Sequence, residues 1–469
     1  MVAVLAFCGS VVSLMQTLVV PILPELPRIF DAPAEDTSWI VTATLLAAAV
    51  SHPVVGRLGD MYGKRRMVLI VFALMVTGSV ICAVSASLVP VVIGRALQGL
   101  AIGVVPLGIS IMRDNLPPER LGAGMALMSA TLGFGGAIGM PLAAFIAEHA
   151  HWHTLFWTVG GVGLLDLLLV YFFVRESPVR ANARFDLLGA VWLTAGLSCL
   201  LLAITKGGSW GWGAPATLGT FAAALVLLPA WGVYELRRRD PLVDLRTSAR
   251  RPVLFTNLAS VLLGFSMMAM MLVLPHVLQA PRSTGYGFGL SMLEAGLVLG
   301  PSGVVSMLLA PVSARISRRF GPKVSLMLGA VVMGVTYLVS AVTLDGLWQI
   351  VVTSSVIGAG LALCYAAMPD LIMRVVPLTA TAAANGLNAL MRAIGTSTSS
   401  AVTSAVMANM TISVGAFTVT SFAGLQTAMV IAGCTALLGV VIAAFIPARR
   451  PALADAAPGV ADAPARSAA

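Results

Sequence analysis

Charge is what this sequence has least of. Only 10% of its 469 residues are Asp, Glu, Lys or Arg, against 58% that are apolar. A mean hydropathy of +0.96 leaves too little polar surface to cover a water-soluble domain. Ten-residue stretches of alternating character are missing too, which excludes a membrane β-barrel. The five cysteines, Cys8, Cys82, Cys199, Cys364 and Cys434, stand alone inside apolar runs. With no CxxC pair and no Cys/His spacing, neither a disulfide framework nor a metal centre is expected, and the thiols read as small buried hydrophobes. There is no G-x-x-x-x-G-K-[ST] phosphate loop and no H-E-x-x-H zinc helix. Direct use of ATP and zinc-dependent hydrolysis therefore lack a motif, and no cofactor is expected. The net charge of +9 would suit nucleic acid, but the basic residues are dispersed as topology signals, so no nucleic-acid partner is expected.

What the chain has is apolar runs, near 3–24, 39–58, 67–87, 89–112, 122–147, 154–174, 186–205, 217–236, 253–275, 291–314, 323–343, 347–373, 381–407 and 423–446. At about 20 residues per span, they predict an all-α integral membrane protein with 14 transmembrane helices. The first run has no basic leader and no small-residue cleavage site, so it reads as a retained span rather than a signal peptide. With both termini in the cytoplasm, 23 of the 28 Lys and Arg residues fall in inside segments, three (Arg28, Lys206, Arg282) outside, and two (Arg95, Arg392) within spans. One miscounted span would scramble that asymmetry. The Ala/Pro-rich stretch 451–469 reads as a disordered cytoplasmic tail.

The connection between the second and third runs, Gly56 to Arg66, reads GRLGDMYGKRR. Gly56 and Gly63 permit close backbone approach and a tight turn. Asp60 can face either a neighbouring helix N-terminus or an arginine. Lys64, Arg65 and Arg66 are expected at the cytoplasmic surface. A loop that merely set topology would account for those three cations but not for the glycines or the acid. The segment resembles the G-x-L-a-D-r-x-G-r-K-x loop of major facilitator transporters, where it acts on conformational switching. Pro311 to Lys323, PVSARISRRFGPK, is a degraded echo that starts 255 residues later. A six-helix half needs about 200 residues, so two extra helices lie between the copies. That is the layout of the 14-helix drug:proton antiporters of this family: a six-helix half in 1–180, an inserted helix pair in 181–240, and a second six-helix half in 241–450.

Further resemblances lie inside the spans. Gly94-Arg95-Ala96-Leu97-Gln98-Gly99 is similar to the R-x-x-q-G motif of proton-coupled exporters, in which the arginine influences proton movement near a carboxylate. A guanidinium in a span must face a polar cavity or partner, and the bland alternative is snorkelling to the interface. Gly135 and Gly139, followed by Pro141, partly match the antiporter motif ending G-P-x-x-G-G. Small residues there would form a seam for helices that rock against each other. Near Thr17 the first span departs from its family pattern. Met15 stands at the acidic position and Val20 at the asparagine position, leaving Gln16 as a hydrogen-bonding group without charge. Cationic cargo is thereby disfavoured.

A proton-coupled transporter needs a titrating acid. Asp166, flanked by leucines in the sixth span, ranks first, then Asp370, then Glu25. Glu294 follows Ser291 at capping-box spacing and reads as structural. His52, just before Pro53, reads as part of a helix bend. Asn388 and Arg392 share a helix face and, with Gln16, Gln98, Met267 and Met271, are expected to line a substrate cavity. Methionines there would give an adaptable apolar wall. The resemblance implies a monomer in the cytoplasmic membrane that exports amphiphilic or hydrophobic organic molecules in exchange for protons. A transporter of the same fold for a defined metabolite, lipid or siderophore, possibly working inward, stays open, with an intramembrane enzyme as a remote alternative.

Overall fold

The computed structural model describes residues 1–447 except Pro24, Asp345, Gly415 and Ala416, and the backbone alone at Pro118, Leu132, Ala137, Val414 and Phe417. The expected tail, with Arg449, Arg450 and Arg466, lies outside the described residues. Fourteen long helical segments follow in chain order: α1 Val2–Thr17, α2 Trp39–Tyr62, α3 Lys64–Val84, α4 Leu88–Asn115, α5 Pro118–His149, α6 His153–Phe173, α7 Leu187–Trp210, α8 Pro215–Arg237, α9 Arg251–Gln279, α10 Met292–Phe320, α11 Pro322–Thr343, α12 Leu347–Met373, α13 Thr381–Asn409 and α14 Phe422–Ala444. A tight 3-10 turn at Ala101–Gly103 interrupts α4.

Among the described residues, thirteen spans are long and apolar enough to cross a bilayer by length and composition. The remaining long helix, α13, has 29 residues but is rich in Thr, Ser and Asn. Six of those side chains are turned inward: Thr381, Asn385, Asn388, Ser397, Ser399 and Thr403 are buried. A helix shielded by its neighbours does not need a lipophilic surface.

Some expected boundaries move. The first helix stops at Thr17 rather than near residue 24, because Pro21 has no N–H and the chain tightens into a 3-10 turn at Val20–Ile22. Lys206, counted above as outside, lies within α7. An antiparallel hairpin, β1 Thr411–Val414 with β2 Phe417–Thr420, links α13 to α14, a strand pair that the all-helical reading did not contain. The Ser291/Glu294 capping box forms, with Ser291 N–H donating to Glu294 at 2.8 Å and Glu294 N–H donating to Ser291 at 3.2 Å.

One apolar core is built chiefly from α1–α6 and another from α9–α14. The α7–α8 pair belongs to neither. Leu193, Leu197 and Leu201 of α7 pack in one cluster with Ala49 of α2 and Leu387 and Leu390 of α13, so the pair covers the α2–α13 seam from outside. Both of its ends are tied. Lys206 Nζ donates to the Glu35 carbonyl at 3.1 Å and to the Ser38 hydroxyl, and lies 5.1 Å from the Trp39 ring centroid. At the other end Asp186 accepts from Gly189 N–H and the Tyr234 hydroxyl, each at 3.0 Å, and Glu235 accepts from Val243 N–H at 2.7 Å.

The two halves meet along α5 with α10 and α12, and along α2 and α4 with α13. Alanines form the α5 contact: Ala126 and Ala130 of α5 pack on Ala310 and Ala314 of α10 and on Ala366 of α12. Within the second half, α13 crosses α9 closely enough that a side chain on Gly395 would collide with the Val261 carbonyl. Gly395→Leu should therefore lower the unfolding midpoint of the detergent-solubilised protein, overpacking of this kind costing roughly 1–3 kcal/mol. Gly161→Leu, on an open face of α6 with nothing near it, should leave the midpoint unchanged in the same melt.

Candidate functional site

The GRLGDMYGKRR segment forms the last turns of α2, the turn and the first turn of α3. Gly63 has φ of +115°, and a Cβ there would lie 2.8 Å from Glu176 Oε2, so a side chain fails on conformation and on space. Glu176 caps the start of α3, accepting from the N–H groups of Arg65 and Arg66, both at 3.1 Å. Lys64 was expected at the surface, but it is fully buried. Its ammonium is 2.5 Å from Asp114 Oδ2 and 3.6 Å from Asp60 Oδ1, and Ser177 donates a hydrogen bond to the same Asp114 oxygen. Arg65 is half-buried, with its guanidinium 5.4 Å from the Tyr171 ring centroid, and Arg66 is exposed. Burial of Lys64 follows from Asp114, an acid that the loop sequence does not contain.

Asp60 resolves toward the helix terminus. Its carboxylate accepts from the N–H groups of Ala382, at 3.2 Å, and Ala383, at 2.9 Å, in the first turn of α13. These are donors that no intrahelical carbonyl can satisfy. One turn earlier, Gly56 lets the helices approach: a Cβ there would be 2.6 Å from the Ala382 carbonyl. Arg113, at the end of α4, completes the junction. It donates to the Met373 carbonyl at 2.6 Å, the Val376 carbonyl at 3.3 Å and the Thr381 hydroxyl at 2.8 Å, around the C-terminus of α12 and the start of α13. The halves are thus clamped at the end that carries the basic loops. In the sequence Arg113 reads only as a topology charge and Asp114 goes unremarked. The available signal was a pair of opposite charges, Arg113 and Asp114, at the end of a largely apolar helix.

At the opposite end lies a cavity of about 730 Å³. Met140 of α5, Met271 and His276 of α9, Tyr286 of the α9–α10 connection, Met407 of α13 and Thr420 of the hairpin are among its walls. Met267, one turn from Met271, accepts a hydrogen bond from the Tyr365 hydroxyl at 2.9 Å. Beyond it a narrow cleft runs between the halves, bounded by Val105 and Pro106 of α4, Ser129 of α5, Tyr365 of α12, and Asn388 and Arg392 of α13. The Arg392 guanidinium carbon lies 4.8 Å from the Tyr365 ring centroid. Asn388 donates to Asn257 at 3.0 Å. Among the expected cavity residues, Met271 reaches the cavity wall and Asn388 and Arg392 the cleft. Gln16 is exposed on α1 and belongs to neither lining. Gln98 is fully buried between Arg95 and Ser79 instead.

Arg95 is 2% exposed, so it does not snorkel. It donates to Gln98 Oε1 at 2.7 Å, the Ile40 carbonyl at 3.4 Å and the Met15 carbonyl at 3.5 Å. The ion pairs among the described residues do not include it, so carbonyl and amide dipoles take the place of the expected carboxylate. Asp166 is fully buried and faces α1, where the Cys8 thiol donates to Oδ1 at 3.6 Å while Oδ2 has no partner. Its neighbours Leu164, Leu165 and Leu168 point outward. The other two acids lie apart from the cavity. Asp370 is bound through both oxygens to Arg374, at 3.1 and 3.0 Å, and Glu25 is exposed in the turn after α1.

The glycine seam also needs correction. Gly135 and Gly139 pack against Ser10, Ser13, Leu14 and Thr17 of α1, inside one half, whereas Pro141 meets Gly296 of α10 across the halves. Gly135 and Gly139 therefore hold a half together, and the α5 contact between the halves is formed by the alanine cluster. Its signal was there: Ala126 and Ala130, and Ala310 and Ala314, are each spaced by four.

Two helical halves, clamped at one end and parted by a cavity at the other, are the architecture of a membrane transporter. Residues 5–400 match the Major Facilitator Superfamily model, and the chain belongs to that family: it is a transporter and not an enzyme. It is 29% identical over 85% of its length to the tetracenomycin C resistance and export protein of Streptomyces glaucescens, covering 74% of that protein. It is 25% identical over 82% of its length to the multidrug resistance protein Stp of Mycobacterium tuberculosis, covering 71% of it. The crystal structure of the human organic anion transporter MFSD10 superposes with a TM-score of 0.68 at 16% identity, over 94% of this chain and 98% of that one.

Asp60→Asn should loosen the clamp. The amide has one accepting oxygen, turns N–H groups toward the α13 donors and loses the attraction to Lys64. Charge-assisted hydrogen bonds contribute roughly 1.5–3 kcal/mol each. A cysteine placed at the buried Ala383 should then react with a membrane-impermeant maleimide, applied from the clamped end, about ten-fold faster or more. An unchanged rate would show that the carboxylate does not hold this end shut.

Proposed function

We propose that the protein exports amphiphilic or hydrophobic organic molecules across the cytoplasmic membrane in exchange for protons, by alternating access. One observation carries this reading: the cavity, walled by Met140, Met271, Met292 and Met407 together with other apolar side chains, lies at the end opposite the clamp. Flexible thioethers accept cargo of varied shape. The basic loops at the clamped end favour placing it, and both termini, in the cytoplasm. In this reading the protein works as a monomer, and its cavity faces the outside. Release of the clamp and rocking about the alanine contact would open the cleft to the cytoplasm. Relatives named for resistance and export support the outward direction.

In this reading Arg95 and Asp166 are the coupling groups. Arg95 anchors α1, α2 and α4 through one planar fork, and Asp166 offers Oδ2, an oxygen free to take up and release a proton. Asp370 and Glu25 drop behind, one paired and the other solvated. The reading is tested with purified protein in liposomes, following accumulation of a lipophilic dye under an imposed pH gradient with and without an uncoupler. Gradient-independent accumulation would overturn proton exchange. Arg95→Ala should abolish gradient-driven accumulation, and Arg95→Lys should restore little of it, since an ammonium cannot reach three acceptors in one plane. Asp166→Asn should stop gradient-driven movement yet preserve downhill exchange of dye. Full pH-driven transport by Asp166→Asn would make that residue a structural partner of α1.

A further inference from the structure

Arg392 lies in the middle of α13, facing the cleft between the halves. Among the described residues no ion pair includes it, and no hydrogen bond to protein occupies its guanidinium. Its one close partner is the Tyr365 ring, at 4.8 Å. Stacking on a ring uses a face of the guanidinium and leaves the N–H edge free, and that edge is the part that receives carboxylates in pairs. A fixed positive charge inside a membrane protein is costly unless something of opposite sign meets it.

Among the described residues, nothing in the surrounding walls supplies that sign. The residues lining the cleft include no Asp or Glu, and neither do those lining the 730 Å³ cavity. The other ionisable side chains there are His276, Tyr286 and Tyr365. His52 of α2, within electrostatic range of Arg392, can only add positive charge. The polar side chains beside Arg392 are already engaged: Asn388 with Asn257, Asn385 with the Thr381 carbonyl, and Ser129 with the Tyr365 carbonyl. The Arg392 edge is therefore the vacant donor. Because α4 and α5 bound one side of the cleft and α12 and α13 the other, separating the halves at the clamped end would expose it.

We propose that the cargo is anionic: Arg392, stacked on Tyr365, receives the carboxylate or acidic phenolate of an amphiphilic organic molecule whose apolar body lies against the methionine-lined wall. The proposal rests on the export reading for the site but not for its test. Binding is measured without any gradient, in phosphatidylcholine nanodiscs at low salt. The readout is energy transfer from tryptophan to pyrenebutyrate, pyrenebutanol or pyrenebutylammonium, corrected with empty nanodiscs. The butyrate should bind at least ten-fold more tightly than the alcohol or the ammonium. Arg392→Gln should bring butyrate within about two-fold of the alcohol while leaving alcohol binding unchanged, which also shows that the variant is folded. Arg392→Lys should retain part of the preference. Equal or tighter binding of the ammonium, or an anion preference that survives Arg392→Gln, would overturn the proposal. Selective anion binding by a protein that fails to move cargo under a pH gradient would instead remove the export reading and leave this one standing.

Discussion

One carboxylate joins the two halves at the end that carries the basic loops. Asp60 accepts the N–H groups of Ala382 and Ala383 at the start of α13, so an acid on one half completes the hydrogen bonding of a helix on the other. Away from bulk water such donors need a partner, and the partner is available only while the halves touch at this end. Lys64 lies beside the same carboxylate and is itself balanced by Asp114. Gly56, Gly63 and Arg113 serve the same junction through close approach, turn geometry and capping of the α12 carbonyls. The second copy of the loop has no such acid: counting back from Gly321, which has φ of +91°, Arg318 stands where Asp60 stands before Gly63. The clamp is consequently one-sided, although the helices around it repeat.

Packing inside each half and packing between the halves use different small residues. Gly135 and Gly139 bring α5 onto α1, and Gly395 brings α13 onto α9. These contacts reach backbone atoms, so separating them would lose dense van der Waals packing, the main attraction between helices in lipid. Across the halves the α5 contact combines a patch of alanine methyl groups with one closer fit, Pro141 against Gly296 of α10. The α7–α8 pair lies over the other seam with leucines against both α2 and α13, and its ties through Lys206 reach only the start of α2. It can follow one half while shielding the opening edge from lipid.

Ionisable groups inside the spans divide by whether the protein answers them. Lys64 meets two acids and Arg95 meets three dipoles, and both are locked. Arg392 meets one aromatic ring, and Asp166 one thiol with an oxygen to spare. One faces a cleft between the halves, and the other the α1–α6 contact within one half.

By itself the sequence determined the class of molecule and the positions of its spans. Twenty-residue apolar runs satisfy every backbone group locally, so their helical state and length follow from composition with no knowledge of neighbours. The GRLGDMYGKRR loop was legible for a similar reason, since a left-handed glycine and the acid three residues before it belong to one turn. Even the polar helix α13 was placed, because its apolar residues outnumber its Ser, Thr and Asn. What reached beyond one helix was not legible. The fate of Lys64 depends on Asp114, fifty residues away, and that of Asp60 on a helix more than three hundred residues later. Gln98 was assigned to a cavity and is taken up by Arg95 and Ser79. Asp370 was a candidate for coupling and is neutralised by Arg374, while the absence of Arg392 from the ion pairs among the described residues is visible only once their acids have been located. Local hydrogen bonding decides where a chain crosses a membrane. Which buried charge remains free is settled by contacts among distant helices, and tertiary structure alone decides those.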